Sequence, residues 1–184
     1  MPVLCDWEIR ARCEKSHMVV PFDEELLNPA SLDLLLGNHL MVESIYSPEL
    51  IRVNISHYNE EEPYRLEPGE FCLAETRELF NLPEDISAQF VLKSSRARCG
   101  YNHFLAGWCD PGWNNSKLTL ELKNERSHHS LPLYPGLKIG QMVFHQMSNA
   151  PLNSYAKVGH YNNHLTVMPD CTKSNRLIDM PELA

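Results

Sequence analysis

Apolar and polar residues alternate strictly along the segment from Lys117 to Leu122. Successive side chains of a β-strand point to opposite faces of the sheet, so the three leucines share one face and Thr119 and Glu121 the other. The segment is therefore predicted to be a half-buried strand that carries a carboxylate on its polar face.

Short runs of this kind recur along the chain and are separated by turn-forming residues. A short helix is predicted over residues 4–14, with Asp6 as its N-cap. Further strands are predicted at residues 32–36 (ending at Gly37), 71–74 (after a hairpin turn at 66–69), 87–92 and 137–146. Many short strands, little helix and 13 prolines predict an all-β sandwich or barrel. The length of 184 residues predicts one domain over residues 1–184.

The tail from Gly159 to Ala184 is polar and rich in Asn, Pro and Asp. Two interpretations stay open from the sequence. The tail is either a frayed terminus or a flap that becomes ordered over a ligand.

Composition and charge exclude several classes of protein. The net charge of −8 has the wrong sign for broad nucleic-acid binding. No apolar run reaches about 18 residues and the acidic N-terminus lacks a signal pattern, so we expect a cytoplasmic protein without a membrane partner. The six cysteines form no C-x-x-C pair and are expected to be free thiols.

Between Asp85 and Asp110 the only formal charges are those of Lys93, Arg96 and Arg98. With Ser94 and Ser95, this segment offers hydroxyls, guanidinium groups and backbone N–H groups to a phosphate. The alternative is a solvated strand end, since the segment has no Walker A pattern.

A zinc site is not expected, although nine histidines are present. The H-x-E and P-C-x-x-C signature of zinc deaminases is absent, and so is H-E-x-x-H. Glu121 leaves two interpretations open. On an exposed face this carboxylate is an ordinary polar residue, but in an enclosed pocket its raised pKa would suit it to proton transfer. Asp110, in a D-P-G-W turn, has either a capping or a binding role.

Taken together, the motifs resemble those of the dCTP deaminase family in the dUTPase-like superfamily. The resemblance covers nearly the whole chain. It begins with residues 4–9 (LCDWEI) and 29–34 (PASLDL), and continues in family order with 94–98 (SSRAR), 106–112 (AGWCDPG), 120–124 (LELKN) and 134–141 (YPGLKIGQ). It implies a mainly β, dUTPase-like distorted barrel or jelly roll with a short N-terminal helix, assembled as a homotrimer with shared sites.

The resemblance also implies a zinc-independent hydrolytic deamination of dCTP to dUTP and ammonia, which feeds dUMP and dTTP synthesis. Glu121 matches the family's catalytic carboxylate, and Arg98 and Ser94 match the residues that position the water. The residues implied to bind the nucleotide are Lys93, Ser95, Arg96, Ala106, Trp108, Asp110, Gln141, Tyr155, His160 and His164. Mg²⁺ would arrive with the triphosphate. The sequence leaves open whether dTTP, a candidate partner, inhibits the protein.

The tail departs from the family pattern, because His160 and His164 stand where Lys and Gln are usual. The charge of a histidine depends on pH near neutrality, so binding of the triphosphate is expected to do so as well. The loop between Asp110 and Glu121 also looks one residue longer than is common in the family. Three alternatives remain: a bifunctional enzyme that also hydrolyses dUTP to dUMP, a non-catalytic nucleotide-binding regulator, and a structural β protein without a ligand.

Overall fold

Strands make up most of the regular secondary structure of the chain, whose computed structural model describes residues 2–171. Helical segments are α1 (Asp6–Ser16), a 3-10 turn (Glu24–Leu26), α2 (Ser94–Ala97) and α3 (Tyr155–Val158). The strands are β1 (Val19–Val20), β2 (Leu27–Asn28), β3 (Ser31–Ser44), β4 (Ser47–Asn54), β5 (Tyr64–Leu66), β6 (Phe71–Phe80), β7 (Ile86–Leu92), β8 (Tyr101–Asn102), β9 (Trp108–Cys109), β10 (Ser116–Asn124), β11 (Leu131–Leu133) and β12 (Lys138–Gln146). The prediction of a mainly β fold is confirmed.

Ten strands form one curled antiparallel sheet. Its central order is β8-β10-β6-β3-β12-β7-β9, while β1, β2 and β4 pair at its sides. Strand β3 joins the two halves, because its first residues pair with β12 and its later ones with β4 and β6. The sheet therefore curls around a core in which Phe80, Phe144 and Leu120 are fully buried.

The prediction that a strand ends at Gly37 is wrong, since β3 continues through it. A Cβ atom added at Gly37 would lie 2.6 Å from the Cγ atom of Glu75 on β6. Gly37 is therefore needed because the Glu75 side chain approaches the backbone too closely to leave room for a Cβ atom. Close approach of this kind is one reason for a glycine inside a strand.

Two smaller predictions are also corrected. Asp6 is the first helical residue and Cys5 is the N-cap, with its N–H donated to the Glu8 carboxylate at 2.9 Å. The turn at residues 66–69 does not form a hairpin, because β5 pairs with β11 and β6 lies in the large sheet. Among the described residues, no helix is long and apolar enough to span a membrane.

Strand β10 follows the predicted alternation. Leu118, Leu120 and Leu122 are buried in the core, and Thr119 and Glu121 point to the opposite face. The pairing of β10 with β6 sets Glu121 beside Leu73. The packing of the leucines therefore fixes where the Glu121 carboxylate lies.

Candidate active site

The Glu121 side chain faces a cavity of about 440 Å³. Strand β10 contributes Lys117, Leu118, Thr119 and Glu121 to its lining, and β6 contributes Leu73. The other sides come from the loop that contains β9 and from the end of the described chain: Ala106, Trp108, Cys109, Asp110, Trp113, Tyr155, Tyr161, His164, Met168, Pro169 and Asp170. Aromatic side chains and a few polar groups thus enclose one strand-borne carboxylate.

Glu121 is partly withdrawn from water, with 30% of its side chain exposed. Its Oε2 atom has no hydrogen-bond partner among the described residues. Burial raises the pKa of Glu121 above the ordinary value, because the charged form loses hydration. The raised pKa makes the carboxylate a better proton acceptor near neutral pH than a solvated one.

His103 lies directly behind this carboxylate, with its Nε2 atom 3.4 Å from Glu121 Oε2. Its ring packs on Phe90 at a centroid distance of 4.4 Å, and only 5% of its side chain is exposed. Burial lowers the pKa of His103 to about 4, so the imidazole is neutral at pH 7. No sequence pattern identifies His103, since a lone histidine after β8 has no distinguishing feature.

The turn after Ala106 brings a second carboxylate to the cavity. Asp110 Oδ1 accepts a hydrogen bond from the Trp108 indole N–H at 3.0 Å, and the Asp110 carbonyl accepts one from the Trp113 N–H at 3.2 Å. Gly112 has a φ of +87°, as the turn requires. The predicted D-P-G-W turn is therefore present, and its Asp110 side chain lines the cavity.

The basic segment at α2 does not reach the cavity of its own chain. Arg98 and Ser94 are brought together, with the Arg98 Nε atom donating to Ser94 Oγ at 3.3 Å, and both are exposed. The Lys93 ammonium donates to both carboxylate oxygens of buried Asp33 at 2.6 Å. Arg96 Nε donates to a backbone carbonyl on β12. Each of the three cations therefore has a hydrogen-bond partner within the chain, which is a carboxylate in the case of Lys93.

The remaining candidates divide between the cavity and the surface. Ala106, Trp108, Tyr155 and His164 line the cavity with Glu121 and Asp110. Three others do not line it: Gln141, which accepts a hydrogen bond from a serine on β3, and exposed Ser95 and His160.

Residues 159–171, here called the C-terminal segment, lie along the start of β10. The Asn114 N–H donates to Asn162 Oδ1 at 2.9 Å, and the Lys117 N–H donates to the His164 carbonyl at 2.8 Å. Ser116 Oγ donates to a carbonyl of the same segment at 2.9 Å. The segment therefore forms one side of the cavity, while residues 172–184 of the predicted tail lie outside the described residues.

These features define a class: a curled β fold with a partly desolvated carboxylate facing a partly open, partly aromatic cavity. A crystal structure of 2'-deoxycytidine 5'-triphosphate deaminase from Agrobacterium tumefaciens has the same fold, with a TM-score of 0.65 and 24% identity. The alignment covers 82% of this chain and 50% of that one, so the chain spans half the length of that protein.

The family follows from the sequence comparisons. Residues 3–147 match the model of the dCTP deaminase-like family, and the chain belongs to this family. Proteins named dCTP deaminase, dUMP-forming, are similar over most of their length. The protein from Thermobifida fusca is 36% identical over 165 residues (83% of this chain, 82% of the relative). The one from Methanospirillum hungatei is 36% identical over 171 residues (87% and 91%).

Proposed function

We propose that the protein converts dCTP to dUMP by hydrolysing both the C4 amino group and the triphosphate. The observation that carries the proposal is the desolvated Glu121 carboxylate in a nucleotide-sized cavity of a dCTP deaminase-like chain. The family resemblance in the sequence implied dUTP as the product. The similar relatives are named dUMP-forming, which favours the bifunctional alternative.

Deamination needs one group that first takes a proton and then returns it. Glu121 would accept a proton from water as the oxygen attacks C4 of cytosine, and would pass a proton to the leaving nitrogen as the C4–N bond breaks. A carboxylate with a raised pKa suits both steps. Neutral His103, 3.4 Å away, would orient the carboxylate without fixing it as a permanent ion pair.

A self-associated trimer is part of the proposal. Ser94 and Arg98 form an exposed hydrogen-bonded pair outside the cavity of their own chain. In a shared site, this pair from one subunit would meet Glu121 of another and supply donors for the developing negative charge. The phosphate-binding roles expected of Ser95 and Arg96 would also depend on that assembly.

Cleavage of the triphosphate requires a second activated water. Asp110 is the candidate, since its carboxylate lines the same cavity on a turn rather than within the sheet. Magnesium would neutralise phosphate charge. Carboxylate oxygens of Asp110 and Asp170 suit this ion, and no cluster of three or more His, Cys, Asp or Glu within residues 2–171 could hold a metal. In this proposal magnesium enters with the nucleotide, because it gives up its water ligands reluctantly and is usually held by one or two carboxylates together with substrate phosphates.

Product analysis tests the proposal. Purified protein would be incubated with dCTP and Mg²⁺, with dUTP, dUMP and ammonia measured over time. Equal amounts of dUMP and ammonia, with one diphosphate each, are expected. Ammonia with dUTP alone would restrict the protein to deamination, and bound dCTP without ammonia would refute catalysis. Adding dTTP to the same assay tests whether it inhibits the protein.

A further inference from the structure

A fully buried carboxylate, Glu75, lies where β3, β6 and β10 meet the C-terminal segment. None of its side chain is exposed. One oxygen accepts from Lys117 Nζ at 2.8 Å and lies 3.1 Å from His39 Nδ1, and the other accepts from the Val167 N–H at 2.9 Å. From its place on β6, the Glu75 carboxylate therefore links β3 and β10 to the C-terminal segment.

Glu75 remains ionised in this position. Burial opposes the charged form, but the hydrogen bonds from Lys117, His39 and the Val167 N–H together lower the pKa of Glu75 below its ordinary value. An ionised carboxylate accepts hydrogen bonds only, and bonds to a charged acceptor are shorter and stronger than neutral ones. Its charge thus strengthens the bond to the C-terminal segment.

Val167 is held at three points. Its side chain is fully buried against Met41 and Leu73, in an apolar cluster separate from the main core. Its N–H is bonded to Glu75, and its carbonyl accepts from Arg52 Nη2 at 3.1 Å. A residue with its side chain, N–H and carbonyl all engaged is an anchor for the segment around it.

The anchor adjoins two residues of the cavity lining. His164 lies three residues before Val167 and Met168 directly follows it, and both line the cavity. The Met168 N–H donates to Thr119 Oγ1 at 3.3 Å. Glu75 itself does not line the cavity, so it acts through the segment that does.

We propose that Glu75 is a positioning residue: with Val167 it forms a latch that fixes residues 164–168 against the sheet and so completes the nucleotide cavity. The proposal rests on the proposed function for its effect on substrate. The latch itself is a property of the fold and is measured separately.

The first measurement is amide hydrogen exchange in Glu75→Gln, which keeps the side-chain size and removes the charge. Exchange across residues 161–168 should rise at least about tenfold, and α1 should be unaffected. Glu43→Gln is the matched control, because Glu43 is an exposed carboxyl on the same sheet. For dCTP, KM should rise about tenfold in Glu75→Gln, with kcat within about threefold.

Val167→Ala removes the apolar contacts of Val167 and leaves the buried charges of Glu75 and Lys117 intact. It should loosen the same peptide and raise KM in the same way, whereas Val158→Ala, at an exposed valine before the segment, should do neither. Unchanged exchange in both Glu75→Gln and Val167→Ala would overturn the latch. Faster exchange with an unchanged KM would overturn its role in positioning. Absence of turnover in the wild type would count against the proposed reaction alone, because exchange still reports on the latch.

Discussion

Replacing Glu121 by Gln separates the chemical role of this carboxylate from its cost to the fold. The substitution preserves size and removes the charge and the proton-accepting oxygen. Deamination should fall about 10²–10⁴-fold, the usual contribution of general acid–base catalysis. Nucleotide binding should persist, since the cavity lining is otherwise unchanged. The folded state should also become more stable at neutral pH.

The size of the gain in stability follows from the site. Leaving a buried polar group without a partner costs about 1–3 kcal/mol, and more when the group is charged. Glu121 Oε2 has no hydrogen-bond partner among the described residues, and a neutral amide in its place avoids the additional cost of the charge. Because 30% of the side chain is exposed, we take the lower end, about 1 kcal/mol. For a domain of this size, that raises Tm by roughly 2–4 °C.

The pH dependence of that gain has a definite sign. The pKa of Glu121 is raised in the folded state, so the folded protein binds more protons than the unfolded chain between the two pKa values. Wild-type stability therefore falls as pH rises through this window. The advantage of Glu121→Gln should be absent near pH 4 and complete above the folded pKa.

Thermal unfolding at pH 4 and pH 7.5, at one protein concentration, measures the effect. Glu67→Gln, at an exposed carboxyl in the turn before β6, is the matched control and should shift Tm by under 1 °C at either pH, about 0.5 kcal/mol or less. An equal or lower Tm for Glu121→Gln at pH 7.5 would refute the desolvation argument. Turnover within tenfold of wild type would refute the proton-transfer role.

Four further results are expected. Asp110→Asn should release ammonia at a rate within about threefold of wild type and accumulate dUTP, as measured by nucleotide chromatography; continued formation of dUMP would remove Asp110 from the second step. In the pH profile of kcat, the midpoint of the acid limb should lie above pH 4.5, because burial raises the pKa of Glu121. Initial rates measured from pH 4 to 9 test this. His103→Leu should shift that limb, whereas His103→Asn should restore it in part; an unchanged limb would show that the imidazole does not act on Glu121. Gly37→Ala should lower the free energy of unfolding by about 1–3 kcal/mol in denaturant, through overlap with the Glu75 side chain, and an undiminished value would contradict the close approach.

Local patterns predicted how two of the cavity-lining carboxylates are placed. The alternation around Glu121 placed its carboxylate on the face opposite the leucines, and the D-P-G-W pattern placed Asp110 on a turn. Both predictions depend only on neighbours in sequence. The family resemblance added the expectation that these segments meet, and the structure brings Ala106, Asp110 and Glu121 to one cavity.

Contacts between distant segments were outside the reach of those patterns. Gly37 follows a short apolar run, and this local pattern predicted the end of a strand. The actual reason for the glycine is the close approach of Glu75, which lies 38 positions later. The pairing of Glu75 with Val167 spans 92 positions, and no periodicity connects them. His103 acquires its low pKa from packing around it. In each case the property belongs to the tertiary environment rather than to the residue.

Strand β10 explains how the protein tolerates a poorly hydrated carboxylate. Burying a leucine contributes about 1.5–3 kcal/mol, so Leu118, Leu120 and Leu122 together exceed the roughly 1–3 kcal/mol that Glu121 costs. Because side chains alternate, the leucines packed in the core keep Glu121 on the opposite face, where the cavity lining covers it. The core therefore holds the carboxylate in its desolvated state, and the same alternation that packs the sheet keeps the pKa of Glu121 raised.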